Sequence, residues 1–236
     1  MEKEAVLLVG GLGTRLRSVI GDLPKPLAPV GGRPFLAWML DALAGQGFGR
    51  VILAIGYRGD QVKAVLGTGW HGMALEYSRE PQPLGTGGAI ALAARRISAD
   101  AFFVMNGDTW LRLDYAAFDT QARESDARLG IALTRVDDVG RYGSIRTQGG
   151  RVAGFVEKGS TGPGYINAGV YWVRRDLLPE FPRDEQFSFE TQLLVPLVAR
   201  ESVFAYTDTS GFIDIGVPED YARAQHVVRA GLKAST

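Results

Sequence analysis

Residues 5–15, Ala-Val-Leu-Leu-Val-Gly-Gly-Leu-Gly-Thr-Arg, constrain the fold more than any other stretch. Five apolar residues without alternation read as a short strand buried on both faces, the signature of a parallel sheet covered by helices. The run stops at Gly10, Gly11 and Gly13, so backbone N–H groups there approach an anion without side chains in the way. Thr14 and Arg15 follow, and the arginine places a planar fork of donors beside that cradle. The segment therefore reads as a phosphate-binding loop at the carboxyl end of the first strand of an α/β sheet, or, on these residues alone, as a tight strand-to-helix turn. It is not a Rossmann fingerprint, because Leu16 stands where the third glycine belongs and the next strand ends in Gly56 rather than an acid. It is not a Walker A loop either, since Gly-Lys-Ser/Thr never occurs.

With 236 residues, 46% of them hydrophobic, the chain buries a large core as a single domain with two halves, 1–127 and 128–236. Its 26 basic and 26 acidic residues balance, which leaves no footprint for nucleic acid or a membrane surface. Apolar runs such as Val51–Ile55 are strand-sized, far short of the roughly 20 residues a spanning helix needs. No leader is read, and zero cysteines exclude disulfides, thiol catalysis and cysteine-bound metal. A cytoplasmic protein acting on small molecules is the expectation, with a homodimer as its assembly. Only five of the basic residues are lysines, which singles out Lys25 and Lys158 as point charges inside tight local motifs.

In Asp22-Leu-Pro-Lys-Pro-Leu-Ala-Pro-Val30 three prolines predict a non-helical run that holds Lys25 on stiff backbone. It suits a cation that meets a fixed phosphate, and equally a solvated lysine. A helix then starts at Pro34, with Phe35, Leu36, Met39, Leu40 and Leu43 on one face, and Gly45 and Gly47 close it. Val51–Ile55 and Met73–Tyr77 read as strands around a short helix, Asp60–Leu66. Glu80-Pro-Gln-Pro-Leu-Gly-Thr-Gly-Gly is a second glycine loop, opening a helix over Ala89–Arg96 with Thr86 as its cap. Its backbone at Gly85 could lie along a base while Glu80 accepts from guanine N1–H and N2–H, or it could be a simple helix-opening turn. Ala101–Asp108 is a buried strand ending in an acid, which suits either a hard cation such as Mg²⁺ or a turn cap.

From Arg128 the pattern becomes mostly β, with strands predicted at Leu129–Thr134, Gly143–Arg146, Val152–Glu157 and Ala168–Val173. Glu157-Lys158 ends one strand and Asn167-Ala-Gly169 begins another. Such residues can hold sugar hydroxyls and a phosphate, although an exposed Glu-Lys pair alone is usually a solvated edge. A helix over Phe189–Ala199 is kinked by Pro196, Val203–Tyr206 is a strand, and Asp214 lies between two isoleucines where a lone charge needs a partner. The last helix has Pro218 in its first turn. His71 and His226 sit in no motif and read as structural.

Seven motifs in one order, Gly10-Gly-Leu-Gly-Thr-Arg-Leu16, Pro24-Lys-Pro-Leu27, Leu84-Gly-Thr-Gly-Gly88, Asn106-Gly-Asp108, Glu157-Lys158, Asn167-Ala-Gly169 and Asp214-Ile-Gly216, resemble the sugar-1-phosphate nucleotidyltransferase family across nearly the whole chain. Within it the sequence is most similar to the bacterial D-glycero-α-D-manno-heptose 1-phosphate guanylyltransferases. The resemblance implies a Rossmann-like α/β fold, with a mixed, mostly parallel central sheet, helices on both faces and a small β-rich sugar-binding lobe. It also implies roles. Gly10, Gly11, Gly13, Thr14 and Arg15 would hold a nucleoside triphosphate, with Lys25 at the reacting phosphates. Glu80, Gly85 and Thr86 would surround the base, and Asp108 and Asp214 would share Mg²⁺. Gly143, Glu157 and Asn167 would line the sugar pocket, with Lys158 on the phosphate of the sugar 1-phosphate.

The expected reaction joins GTP and a heptose 1-phosphate into GDP-heptose and pyrophosphate, for bacterial surface polysaccharide. Its rivals are the same reaction with UTP and N-acetylmuramic acid 1-phosphate, whose enzymes share the Pro-Leu-x-Thr-Gly-Gly stretch, or with GTP and mannose 1-phosphate. A non-catalytic nucleotide-sugar-binding subunit would have no need of two metal carboxylates, and a glycosyltransferase would carry an Asp-x-Asp motif, which is absent.

Overall fold

The computed structural model describes residues 2–11, 14–156, 159, 161–182 and 186–233. Its first half is built from β1 (Lys3–Leu8), α1 (Phe35–Gly45), β2 (Phe48–Ile55), α2 (Gly59–Leu66), β3 (Met73–Arg79), α3 (Gly85–Ala94) and β4 (Ala101–Asn106). These strands pair in parallel in the order β3-β2-β1-β4, with Leu7 set between Leu53 and Met105. The chain thus runs outward on one side of β1 and returns to its other side. The reversal falls between β1 and β4, the crevice where open α/β sheets bind ligands.

Both faces of this sheet are covered, which is why β1 needs no alternation. Ala5 and Leu7 pack with Phe35, Leu36 and Leu40 of α1, whereas Val6 packs with Ile90 and Ala93 of α3. Ala5, Val6 and Leu7 are fully buried. Pro34 stands just before α1 rather than at its first position, and Gly47 follows the helix with φ of 77°.

The second half contributes β5 (Thr109–Leu113), α4 (Tyr115–Glu124), β6 (Leu129–Val136), β7 (Ser144–Gln148), β8 (Arg151–Val156), β9 (Gly164–Arg174), α5 (Val195–Arg200), β10 (Val203–Tyr206), β11 (Thr209–Asp214) and α6 (Pro218–Lys233). Strands β6 to β10 join the same sheet through β9, which runs antiparallel to both β4 and β6. Asn167 therefore sits within a strand rather than at its start. A register break between Asn167 and Tyr171 interrupts the β9–β6 ladder, and such bulges re-aim side chains.

Helix α4 and strands β5 and β11 lay outside the sequence reading. Asp114 caps α4 by accepting from the N–H groups of Ala116 and Ala117, at 2.8 and 3.0 Å. Strand β5 pairs with β11 in a separate two-stranded ribbon. The expected helix over Phe189–Ala199 is present, with its first part wound as a π turn at Glu190–Leu194 that leads directly into α5. Pro196 has no N–H to offer the carbonyl of Gln192, and the wider turn absorbs that defect. His71 fits its structural reading, with Nε2 3.3 Å from Asp41.

Candidate active site

Gly10 continues β1 into the crevice. A Cβ there would lie 2.8 Å from Glu80 Oε1 and 3.2 Å from the Gly56 nitrogen, so only glycine lets these three segments meet. Gly11 has open space around it, which leaves its backbone free to receive a ligand. Arg15 is exposed in the 3₁₀ turn Thr14–Leu16, anchored by the fully buried Leu16. Gly13, the side chain of Thr14, Glu157 and Lys158 lie outside the described residues.

Glu80 follows β3 directly. Its Oε2 accepts from the Leu84 N–H at 3.0 Å, while Oε1 faces Gly10 and Gly56. Burial pushes its carboxyl above the usual carboxylate range, and the Leu84 N–H pulls only partly the other way. Gly85 opens α3 with φ of 71°, and a Cβ on it would lie 2.5 Å from the Phe187 carbonyl oxygen. Thr86 is not the helix cap that its sequence position suggested. It lies inside α3, which begins four residues earlier than expected, and its hydroxyl donates to Glu190 Oε2 at 2.8 Å and accepts from the Phe189 N–H at 2.9 Å. A tertiary partner has taken the hydroxyl that a cap would have used.

Asp108 lies in the turn between β4 and β5, where Gly107 donates to the Leu8 carbonyl at 2.9 Å. The β5–β11 ribbon sets Asp214 opposite Thr109 and so carries it beside Asp108. Lys25 reaches the same point from between Pro24 and Pro26. The run is not wholly non-helical: Lys25–Leu27 form one 3₁₀ turn, with Pro26 and Leu27 buried beneath it. The lysine Nζ sits 2.5 Å from Asp108 Oδ2 and 3.8 Å from Asp214 Oδ1, with only 12% of its side chain exposed. Gly216 makes this packing possible, since a Cβ there would lie 3.2 Å from Nζ and 2.8 Å from Asp214 Oδ1. Burial, and then the negative charge of Asp108, push the Asp214 carboxyl up, against the pull of Lys25 and the Gly216 N–H.

The residues fit a magnesium ion that also takes phosphate oxygens. Among the described residues no group of three or more His, Asp or Glu side chains could cage a metal. Mg²⁺ is ordinarily held by one or two carboxylates plus substrate phosphates and water, which is what Asp108 and Asp214 offer.

Asn167 turns its amide toward Tyr171, donating to the hydroxyl at 2.7 Å, while its Oδ1 accepts from the Gly169 N–H at 2.9 Å. Gly169 has φ of 71° and packs so closely on Asn106 that a Cβ would lie 2.6 Å from Nδ2. Gly143 also takes a positive φ, 80°, in the turn before β7.

These parts surround one cleft of about 690 Å³ at the switch point, lined by Gly10, Gly11, Glu80, Gly85, Thr86 and Asp108 from the sequence reading. Lys25 and Asp214 adjoin it through Asp108, and Asn167 through Tyr171 and Glu190; Arg15 and Gly143 are not among its lining residues. A larger groove of about 820 Å³, on the outer side of α3, carries none of these residues. Tyr57 and Glu190 line the cleft but were missed. Tyr57 directly follows strand-terminal Gly56, a position that could have flagged it, whereas Glu190 was read only as part of a helix.

The chain is 39% identical to D-glycero-alpha-D-manno-heptose 1-phosphate guanylyltransferase of Aneurinibacillus thermoaerophilus, over 94% of this chain and 96% of that one. It is 38% identical to the enzyme of the same name from Campylobacter jejuni, over 92% and 96%. The crystal structure of HddC from Yersinia pseudotuberculosis complexed with GMP-PN superposes with a TM-score of 0.83 and 39% identity, covering 94% of this chain and 98% of that one. The nucleotidyl transferase family model matches residues 4–231, and the chain belongs to that family.

Proposed function

We propose that this protein transfers the nucleotidyl group of GTP to D-glycero-α-D-manno-heptose 1-phosphate, giving GDP-heptose and pyrophosphate, in bacterial surface polysaccharide synthesis. The observation that carries this reading is one cleft lined by both Glu80, a guanine-matched acceptor, and Asp108, with Lys25 and Asp214 adjoining it through Asp108. The similarity to heptose 1-phosphate guanylyltransferases over nearly their full length supports the choice of sugar.

In this reading Gly10, Gly11, Gly13, Thr14 and Arg15 cradle the triphosphate, and residues 1–127 form the nucleotide half of one domain. Glu80 and the Gly85–Thr86 backbone read the base. Asn167, Gly143, Glu157 and Lys158, in the 128–236 half, receive the sugar 1-phosphate. That phosphate is already largely a dianion near neutral pH, given a second pKa of about 6, so no general base is needed. Its oxygen attacks the α-phosphorus in line with the departing pyrophosphate. Lys25, Arg15 and Lys158 align the two anions and neutralise charge as it develops. Asp108 and Asp214 would hold Mg²⁺, which would supply Lewis-acid stabilisation of the phosphoryl oxygens. No described helix is long and apolar enough to cross a membrane, and a cytoplasmic site of action belongs to this reading.

The test is thermal stability with Mg²⁺ and GTP, UTP, dTTP, CTP or ATP. A ligand at 100 times its Kd adds roughly 2.7 kcal/mol, an easily seen shift. The shift is expected with GTP. A shift confined to UTP or dTTP would overturn the base assignment, and no shift with any nucleotide would favour a subunit that binds nucleotide sugars.

A further inference from the structure

We propose that the ring of Tyr57 is the platform on which the purine stacks, and that Arg58 holds that ring at the lip of the cleft; the inference rests on reading the cleft as a guanine-nucleotide site. Tyr57 is 44% exposed, the one aromatic among the exposed large hydrophobic residues described. It is the one aromatic among the described residues lining the cleft. The segments around it meet closely at Gly56, where a Cβ would lie 3.1 Å from the Gly10 carbonyl oxygen and 3.7 Å from Glu80 Oε1, whereas a Cβ on Gly11 would have nothing within 4 Å. A base whose edge meets Glu80 therefore finds glycine backbone close by and Tyr57 as the one aromatic face, beside the smaller apolar surfaces of Leu8, Pro81 and Pro83.

The ring is also restrained in a way that its own packing does not require. Arg58 Nε donates to the Tyr57 hydroxyl at 3.0 Å, and the guanidinium carbon lies 5.3 Å from the ring centroid. Arg58 holds this position from a left-handed backbone, φ 55°, which is uncommon for a residue other than glycine. Its guanidinium donates to the Asp22 carbonyl and pairs with the Asp22 carboxylate at 3.4 Å. Residues 57 and 58 thus tie the end of β2 to the segment leading into Lys25. Backbone strain of this kind persists where the surroundings impose it, and it concentrates at ligand clamps. With the guanidinium over one face of the ring, the base takes the other, and the cation adds attraction to the stack.

The experiment measures Kd for GMP and, separately, for inorganic pyrophosphate with Mg²⁺, by calorimetry on the full chain. Stacking of a base on an aromatic ring is typically removed at a cost of about 5- to 150-fold in affinity by alanine. Tyr57→Ala is expected to weaken GMP by at least about fivefold and to leave pyrophosphate within about twofold. Tyr57→Phe, which keeps the face and the guanidinium contact and loses only the hydroxyl's bond to Arg58, is expected to weaken GMP no more than Arg58→Gly does. Arg58→Gly, which suits the left-handed backbone, is expected to weaken GMP a few-fold and spare pyrophosphate. Unchanged GMP affinity in Tyr57→Ala, or an equal loss of GMP and pyrophosphate, would overturn the assignment of Tyr57, and unchanged GMP affinity in Arg58→Gly would overturn that of Arg58. Failure of the unaltered protein to bind GMP would instead bring down the guanine reading on which both rest.

Discussion

Asp108→Asn lowers kcat by at least about tenfold, the equivalent of about 1.4 kcal/mol of transition-state stabilisation, and leaves the protein folded. The substitution keeps the shape of the side chain and the hydrogen bond that Thr109 Oγ1 gives at 3.3 Å, and removes only the charge. That charge is needed for chemistry and not for packing. The Asp108 side chain is 36% exposed, and its negative charge raises the neighbouring Asp214 carboxyl, which is already pushed up by burial. Removing it relieves a like-charge repulsion but takes the nearer ion-pair partner from Lys25, so the thermal midpoint should change little while turnover falls. Steady-state kinetics beside a melting curve checks both halves. Near-normal turnover in a folded Asp108→Asn protein would contradict the metal assignment.

Lys25→Met has the second large effect, and it moves two quantities in opposite directions. Turnover falls about 10²- to 10³-fold, the scale seen when one positioned donor to a developing anion is lost. Metal affinity without nucleotide rises. The ammonium lies within salt-bridge distance of both carboxylates and acts as their resident counter-ion. With methionine in its place the two carboxylates lose their shared counter-ion, and a divalent cation gains attraction to both. Mn²⁺ titration followed by electron paramagnetic resonance, with no nucleotide present, reads this directly. Tighter Mn²⁺ binding beside reduced kcat is the expected pair. Turnover within threefold of the parent, or Mn²⁺ binding no tighter, would remove Lys25 from the centre of the mechanism.

The parts of this site that sequence makes legible are those built from one continuous stretch. Strand β1 and the glycines after it announce themselves because an unbroken apolar run followed by residues without side chains has few other uses. Lys25 between two prolines is legible for the same reason. What brings Asp108 and Asp214 together is not local: the β5–β11 ribbon pairs residues about a hundred positions apart, and no spacing rule reports that register. The resemblance to known enzymes, rather than the residues, put those two acids on one ion. Thr86 shows the opposite error. Its position ahead of a helix suits a cap, yet the segment at Phe187–Glu190 folds over α3 and claims the hydroxyl. The Asp114 cap and the spacing of Tyr115, Phe118 and Ala122 did carry the signal for α4, and it went unread.

The measurement that bears most directly on the account is turnover with defined substrate pairs. The protein is incubated with Mg²⁺ and GTP plus D-glycero-α-D-manno-heptose 1-phosphate, GTP plus mannose 1-phosphate, or UTP plus N-acetylmuramic acid 1-phosphate, and pyrophosphate and nucleotide sugar are quantified. The account predicts equal amounts of GDP-heptose and pyrophosphate, with the highest kcat/KM for the first pair. No pyrophosphate from that pair, or a higher kcat/KM for either of the others, would contradict it.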